Sequence, residues 1–213
     1  IYDNIIHSRG TYKSDHPDGI QAWSGYLAIY NNKFYGFHRT DDNNVNSYIR
    51  YNPSATETGK NPNPAYVWIY NNLFSETLPL SFAAGTNYRR GIELSPQPGT
   101  TLNHLYFMNN TMVGTNWFGL FLGFKTTHTT AHVSDIIIAN NLFKDCSMTT
   151  SGYGANSVIS LGNGGDGSIT YGNWGNSVDV IFDYNVVYAS SGTWSTNMQW
   201  AGVNFSSANF FAQ

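Results

Sequence analysis

A six-fold repeat is the feature of this sequence that most restricts its fold. A two-residue motif ending in Asn follows an apolar segment six times, and these asparagines align: Asn4, Asn32, Asn72, Asn110, Asn141 and Asn185. In every copy, apolar residues stand three positions before this Asn and two positions after it. Apolar residues spaced by two are typical of β-strands. The motif therefore predicts a turn between two short strands.

A further apolar block lies upstream of five of these turns. Its aligned residues are Ile20, Ile49, Ile92, Leu120 and Ile159, and an apolar residue again follows two positions later in each copy. Each repeat is therefore predicted to contain three short strands. The aligned asparagines are separated by 28 to 44 residues, which indicates that loops of different lengths connect the strands.

This pattern resembles the right-handed parallel β-helix of the pectate-lyase-like superfamily. The resemblance covers Ile1 to about Val187 and rests on strand and turn pattern. We therefore predict an all-β fold, a right-handed parallel β-helix (solenoid) of about six coils, in which each coil pairs with its neighbours. Asn tolerates the left-handed backbone conformation of a tight bend. Stacked Asn side chains at the turn would form a ladder of amide hydrogen bonds.

A single domain is expected over 1–213, with an irregular last coil or cap at about 189–213. Because Ile1 falls inside a repeat, we interpret the sequence as a segment of a longer protein. The terminal coils of a β-helix expose unpaired strand edges. We therefore expect additional domains of the same protein or end-to-end self-association. The many Asn, Tyr, Thr and Gly residues and the few Lys and Glu residues favour an extracellular or cell-surface location.

Charge and hydropathy exclude two classes of partner. A net charge of −3 with 11% charged residues argues against nucleic-acid binding. No apolar run approaches the ~18 residues that a membrane span requires. Cys146 is the only cysteine, so we expect a buried or partly buried thiol and no internal disulfide. His104, His128 and His132 are interpreted as loop histidines.

The stretch DHPDGIQAW at 15–23 concentrates ionisable residues at the entrance of the first strand. Asp18 and Arg90 occupy equivalent strand entrances, and Arg89 directly precedes the second of these. By alternation, the outward residues of the upstream strands form one column: Gln21, Arg50, Glu93, Phe121 and Ser160. In pectate-lyase-like proteins this sheet and its loops form the polysaccharide groove, so the resemblance points to the same face.

A polysaccharide-cleaving protein, either a lyase or a hydrolase, is the function that this face predicts. In the lyase alternative, the resemblance implies an Arg or Lys base and acidic residues that hold Ca²⁺ beside a uronate carboxylate. In the hydrolase alternative, two carboxylates flank the scissile bond. The predicted catalytic residues are Asp18, Arg50, Glu93 and His16. The predicted substrate-binding residues are Trp23, Gln21, Tyr12, Lys13, Arg89, Arg90 and Phe121. A Ca²⁺ site would use Asp15, Asp18 and Glu93.

Two other interpretations stay open. In the first, the chain is a non-catalytic glycan-binding β-helix whose aromatic residues stack on sugar rings. In the second, it is a structural β-helix of a surface, spike or fibre protein. Arg50 and Glu93 would then form only an exposed cross-strand ion pair worth a few tenths of a kcal/mol, on the order of 0.3.

Overall fold

The structure, a computed structural model, describes residues 1–7, 18–23, 25–37, 46–53, 65–75, 89–95, 101–115, 118–122, 132–146, 157–161, 180–188, 196–200 and 203–205. Within these ranges the regular elements are β-strands, which form three sheets. Among the same residues there is no helix that is long and apolar enough to cross a membrane.

The strands that follow the Asn turns form a six-stranded parallel sheet. Each has three residues: β1 (Ile5–His7), β4 (Lys33–Tyr35), β7 (Leu73–Ser75), β10 (Thr111–Val113), β13 (Leu142–Lys144) and β16 (Val186–Tyr188). The strands that precede the turns form a five-stranded parallel sheet: β3 (Tyr26–Tyr30), β6 (Ala65–Tyr70), β9 (Thr101–Met108), β12 (His132–Ala139) and β15 (Val180–Asp183).

The upstream strands form a seven-stranded sheet. Six of them are parallel: β2 (Ile20–Ala22), β5 (Asn46–Tyr51), β8 (Arg89–Leu94), β11 (Phe118–Leu122), β14 (Ser157–Leu161) and β17 (Thr196–Trp200). The seventh, β18 (Val203–Phe205), pairs antiparallel with β17. The repeat therefore gains one further parallel strand beyond Asn185 before its direction reverses.

The chain visits the three sheets in a fixed rotation. From β2 to β17, each strand of the seven-stranded sheet is followed by one of the five-stranded sheet and then by one of the six-stranded sheet. Each strand also pairs with the equivalent strand of the next repeat, one level of the stack away, which we call a rung. An all-β fold with parallel strands in stacked sheets is consistent with the predicted β-helix.

The inward column of each sheet fills the core. In the five-stranded sheet, Ile29 pairs with Ile69, which pairs with Phe107, and all three are fully buried. In the six-stranded sheet, Phe34 stacks on Phe74 with ring centroids 4.8 Å apart. Burying one such side chain stabilises the fold by about 1.5–3 kcal/mol. The alternation that predicted these columns thus positions their neighbours on the outer faces.

The two members of each Asn motif have different structural roles. The first has a positive φ, as in Asn31, Asn71, Asn109 and Asn140, with values of 55–56°. The second is buried in the central rungs, and its side-chain amide donates to Oδ1 of the next one along the chain. These bonds measure 3.2, 3.1, 3.0, 3.2 and 2.8 Å from Asn4 to Asn185. We call this continuous chain of hydrogen bonds the asparagine row.

Two glycine positions in the seven-stranded sheet leave no room for a side chain. Gly91 in β8 and Gly119 in β11 lie on adjacent rungs. A Cβ atom at Gly91 would fall 1.9 Å from the carbonyl oxygen of Gly119. Glycine therefore allows these two backbones to approach closely, directly beside Arg90.

Candidate functional site

The outward column predicted for the seven-stranded sheet is present in the strand register. Gln21 pairs with Arg50, Arg50 with Glu93, and Glu93 with Phe121. Phe121 in turn pairs with Ser160. Parallel strands lie about 4.8 Å apart, so these positions lie on consecutive rungs of one sheet.

Glu93 lies between two guanidinium groups. Arg90 Nη1 donates to Glu93 Oε2 over 2.6 Å, and Arg50 Nε lies 3.8 Å from Glu93 Oε1. Charge-assisted bonds of the first kind are short and strong. Both oxygens of this carboxylate therefore face cations, and the acid fixes the two arginines relative to each other.

Asp18 belongs to the same electrostatic cluster. Its Oδ1 accepts a hydrogen bond from the backbone N–H of Ser47 over 3.0 Å. Burial lowers the pKa of Arg90. The charge and hydrogen bond of Glu93 oppose this shift, the charge of Arg50 adds to it, and the charge of Asp18 opposes it. We call Asp18, Arg50, Arg90 and Glu93 the charged cluster.

The outward face is not uniformly open to water. Glu93 is only 8% exposed and Phe121 only 7%. The Phe121 ring packs against Phe118 at 5.2 Å, and the Arg90 guanidinium lies 6.0 Å from the Phe118 ring. The expectation that outward residues of this sheet face water is therefore wrong for Glu93 and Phe121. Burial of the Phe121 ring stabilises the fold, whereas the buried Glu93 carboxylate depends on its two guanidinium partners.

The exposed members of the face lie toward its N-terminal end. The Arg50 side chain is 31% exposed. Gln21 is exposed and Trp23 is half-buried. A ligand on this face could therefore contact Arg50 directly, with Gln21 one rung away.

Some predicted site residues lie outside the described part of the chain. These are Tyr12, Lys13, Asp15 and His16. Arg89 begins β8 and pairs with Asn46, but its side chain is not among those described. Among the described residues, no group of three His, Cys, Asp or Glu side chains could hold a metal ion. Glu93 faces two cations and is poorly suited to bind Ca²⁺, so the calcium site stays a prediction that depends on Asp15.

His128 lies outside the described residues, and His132 begins β12 instead of lying in a loop. Interpreting His104 as a loop histidine was also wrong. It lies inside β9 with a φ of 54°, and its Nδ1 lies 3.0 Å from Asp135 Oδ2. Asp135 also has a positive φ, of 51°. β9 has a bulge at this point, where its register with β6 shifts between Tyr66 and Val67. The sequence carries a signal of this bulge, because the apolar residues flanking His104 are Leu102 and Leu105, three positions apart instead of two.

Cys146 is fully buried, as predicted, and burial raises the pKa of its thiol to about 11. A thiol in this state is a poor nucleophile.

Comparison of the chain with protein-family models, with curated proteins and with solved structures finds no match. The assignment of function therefore depends on the chemistry of the site.

Proposed function

We propose that this protein is a carbohydrate-active enzyme that cleaves an acidic polysaccharide on the outer face of the seven-stranded sheet. The observation that supports the proposal is the charged cluster, in which Glu93 holds Arg90 at 2.6 Å and Arg50 at 3.8 Å. Guanidinium groups bind carboxylates with matched geometry. A uronate carboxylate is therefore the ligand that suits this face best.

Elimination is the reaction that the cluster favours. Arg50 is the more exposed arginine and has the longer contact with Glu93, so it can meet the substrate. In its neutral guanidine form, Arg50 would take the proton alpha to the uronate carboxylate. The electron pair of that C–H bond would form a carbon–carbon double bond while the bond to the leaving oxygen breaks, and the leaving oxygen would then take a proton from solvent. Burial lowers the pKa of Arg90, but its short bond to Glu93 favours its charged form. We assign Arg90 to binding and Arg50 to proton transfer.

Hydrolysis by Asp18 and Glu93 is the weaker alternative. A general acid needs a carboxyl group that can donate a proton to the leaving oxygen. Both oxygens of Glu93 face guanidinium groups, and Asp18 Oδ1 accepts a backbone hydrogen bond. This arrangement suits charge positioning better than proton donation.

The finer description of the fold belongs to the same proposal. We propose that the three sheets close into a right-handed parallel β-helix of about six coils, of the pectate-lyase-like type, with the asparagine row as its ladder. The fixed rotation among sheets supports this closure. An extracellular or cell-surface location would bring such a protein to its polysaccharide.

The experiment is an activity panel on acidic and neutral polysaccharides. Ultraviolet absorbance of unsaturated uronates reports elimination, and new reducing ends report any cleavage. Arg50→Ala should lower elimination at least about 100-fold, the typical contribution of a positioned proton-transfer group. Lys33→Ala is the matched control, because Lys33 is an exposed cation on the six-stranded sheet.

The outcomes separate the alternatives. Reducing ends without unsaturated products would replace elimination by hydrolysis. If the protein binds an acidic polysaccharide without cleaving it, and Arg50→Ala loses this binding, the protein is a non-catalytic glycan-binding protein. Neither cleavage nor binding of any acidic polysaccharide, or equal activity in Arg50→Ala and Lys33→Ala, would refute the proposal.

A further inference from the structure

The outer face of the five-stranded sheet carries a group of aromatic residues that the proposed reaction does not use. Tyr26 of β3 pairs in register with Tyr66 of β6, and Trp68 of β6 pairs with Tyr106 of β9. His104 lies beside them in β9. We call this group the aromatic face: Tyr26, Tyr66, Trp68, His104 and Tyr106.

The rings of the aromatic face are close to parallel across three strands. Tyr26 and Tyr66 have centroids 5.0 Å apart and planes 5° apart, and Tyr66 and His104 are separated by 4.8 Å and 18°. Tyr66 and Trp68 lie 5.7 Å apart with planes 9° apart. Tyr26 is 67% exposed at the end of the stack, and the other four are half-buried. The rings therefore form one ordered stack, in which each ring partly covers the next.

A bulge places polar groups at the border of these rings. His104 and Asp135 lie opposite each other between the register pairs of β9 and β12. Both have a positive φ, a backbone conformation that is unfavourable for residues other than glycine. The strain brings His104 Nδ1 within 3.0 Å of Asp135 Oδ2 and 3.4 Å of the Tyr106 hydroxyl. Hydrogen-bonding groups thus adjoin the ring surfaces.

The charge of this face differs from that of the charged cluster. The strands β3, β6, β9, β12 and β15 contain no Lys and no Arg. The acids on their described outer positions are Asp135 and Asp183, of which Asp135 is paired with His104. An anionic ligand would find no cation on these strands, so the face is complementary to an uncharged ligand.

We propose that the aromatic face binds an uncharged polysaccharide. Sugar rings present apolar C–H surfaces that would pack on the exposed parts of these rings, above all on Tyr26, and removal of this apolar area from water favours binding. The sugar hydroxyls would bond to the Tyr106 hydroxyl and to the His104–Asp135 pair. Because the rings extend over three rungs, the ligand is a polymer rather than a single sugar. This inference does not depend on the proposed cleavage on the seven-stranded sheet.

The test is affinity electrophoresis through gels that contain hydroxyethylcellulose, galactomannan or neutral xylan, with polygalacturonate as the anionic comparison. At least one neutral polymer should retard the protein. Trp68→Ala and Tyr106→Ala should each weaken the binding about tenfold, as expected from the loss of the apolar area that one ring buries against the polymer. Tyr35→Ala is the matched control, since Tyr35 is a half-buried tyrosine stacked on His7 in the six-stranded sheet.

A second set of variants guards against misfolding. His104→Asn removes the ring, and Asn tolerates the left-handed conformation of this position. Tyr106→Phe removes only the hydroxyl. Both should keep the circular dichroism spectrum and lose affinity, whereas Arg50→Ala should bind the neutral polymer like the wild type.

Three results would overturn the inference. The first is that no neutral polymer retards the protein. The second is that the folded variants Tyr106→Phe and His104→Asn, together with Trp68→Ala where it folds, bind as strongly as Tyr35→Ala. The third is that sedimentation shows these variants dissociating a complex between copies of the chain without any change in polymer binding, which would identify a protein contact instead.

Discussion

The asparagine row and the outward column of the seven-stranded sheet arise from the same repeat but tolerate variation very differently. In the row, every rung carries Asn and bonds to the next rung through the same atoms. In the outward column, successive rungs carry Gln21, Arg50, Glu93, Phe121 and Ser160. A side chain that bonds to its own equivalent must be the same in each rung, whereas an outward side chain is free to differ.

This difference separates positions that determine stability from positions available for chemistry. Buried polar groups in the row need their partners, because an unsatisfied buried group costs about 1–3 kcal/mol. Exposed outward groups, such as Gln21, keep contact with water when a neighbour is removed. Substitutions in the interior and in the row should therefore lower stability, and substitutions of exposed outward residues should not.

Gly91→Ala should have the largest effect on stability. The new Cβ would lie 1.9 Å from the Gly119 carbonyl oxygen and 2.7 Å from Met112 Sδ. The carbonyl belongs to a paired backbone and cannot move without opening the sheet, so we expect a loss of about 4 kcal/mol or more. Urea unfolding followed by circular dichroism measures it. A loss below about 1 kcal/mol would show that the two strands can separate at low cost.

Asn110→Ala should cost about 3 kcal/mol in free energy of unfolding. Its side-chain amide donates to Ile69 O and Asn141 Oδ1, and its Oδ1 accepts from the backbone and side-chain amides of Asn72. Urea unfolding with Asn4→Ala as the control tests the row itself, because Asn4 lies at its exposed end. The control should lose only about 1 kcal/mol. Equal losses in the two variants would contradict a role for burial in the row.

Alkaline pH should destabilise the protein through Cys146. Burial raises the pKa of this thiol from 9.0 to about 11. The unfolded state therefore releases a proton first as the pH rises, and stability is lost between pH 9 and pH 11, by about 3 kcal/mol from this group at about 1.4 kcal/mol per pKa unit. Urea unfolding across this range should show a smaller loss in Cys146→Ala than in the wild type. Parallel losses would mean that the thiol does not contribute.

Tyr184→Asn should increase stability by about 1 kcal/mol. Tyr184 occupies the first position of the last Asn motif with a φ of 53°, where four of the other copies have Asn. It is 77% exposed, so little packing is lost. Thermal unfolding measures the change, with Tyr188→Asn as the control for removing an exposed tyrosine nearby. A lower melting temperature than that of the control would show that the Tyr184 ring has a stabilising contact.

Arg50→Ala should have the smallest effect on stability, within about 0.5 kcal/mol. Its contact with Glu93 is long, and Arg90 continues to neutralise the carboxylate after the change. Urea unfolding alongside the activity panel makes the comparison direct. A loss as large as that of Asn110→Ala would remove the distinction between the row and the charged cluster.

Sequence alternation predicted which strands stack and which residues share a column, because one buried face imposes a period of two. It also predicted the neighbourhood of Arg50 and Glu93, since this follows from register alone. Alternation could not predict the burial of Glu93 and Phe121, which depends on what packs above the sheet. Nor did it predict the His104–Asp135 pair, because the bulge interrupts the period and moves both side chains to a new position.

The hydrogen bonds that join each rung of the asparagine row only to its neighbours have a consequence for local unfolding. Each rung is secured mainly by the two rungs next to it, so the molecule behaves as a chain of nearest-neighbour couplings. Opening should therefore begin at the outermost rungs and proceed inward one at a time. Amide hydrogen exchange would record this as a gradient of protection, slowest around Asn72 and Asn110 and progressively faster toward Asn4 and Asn185.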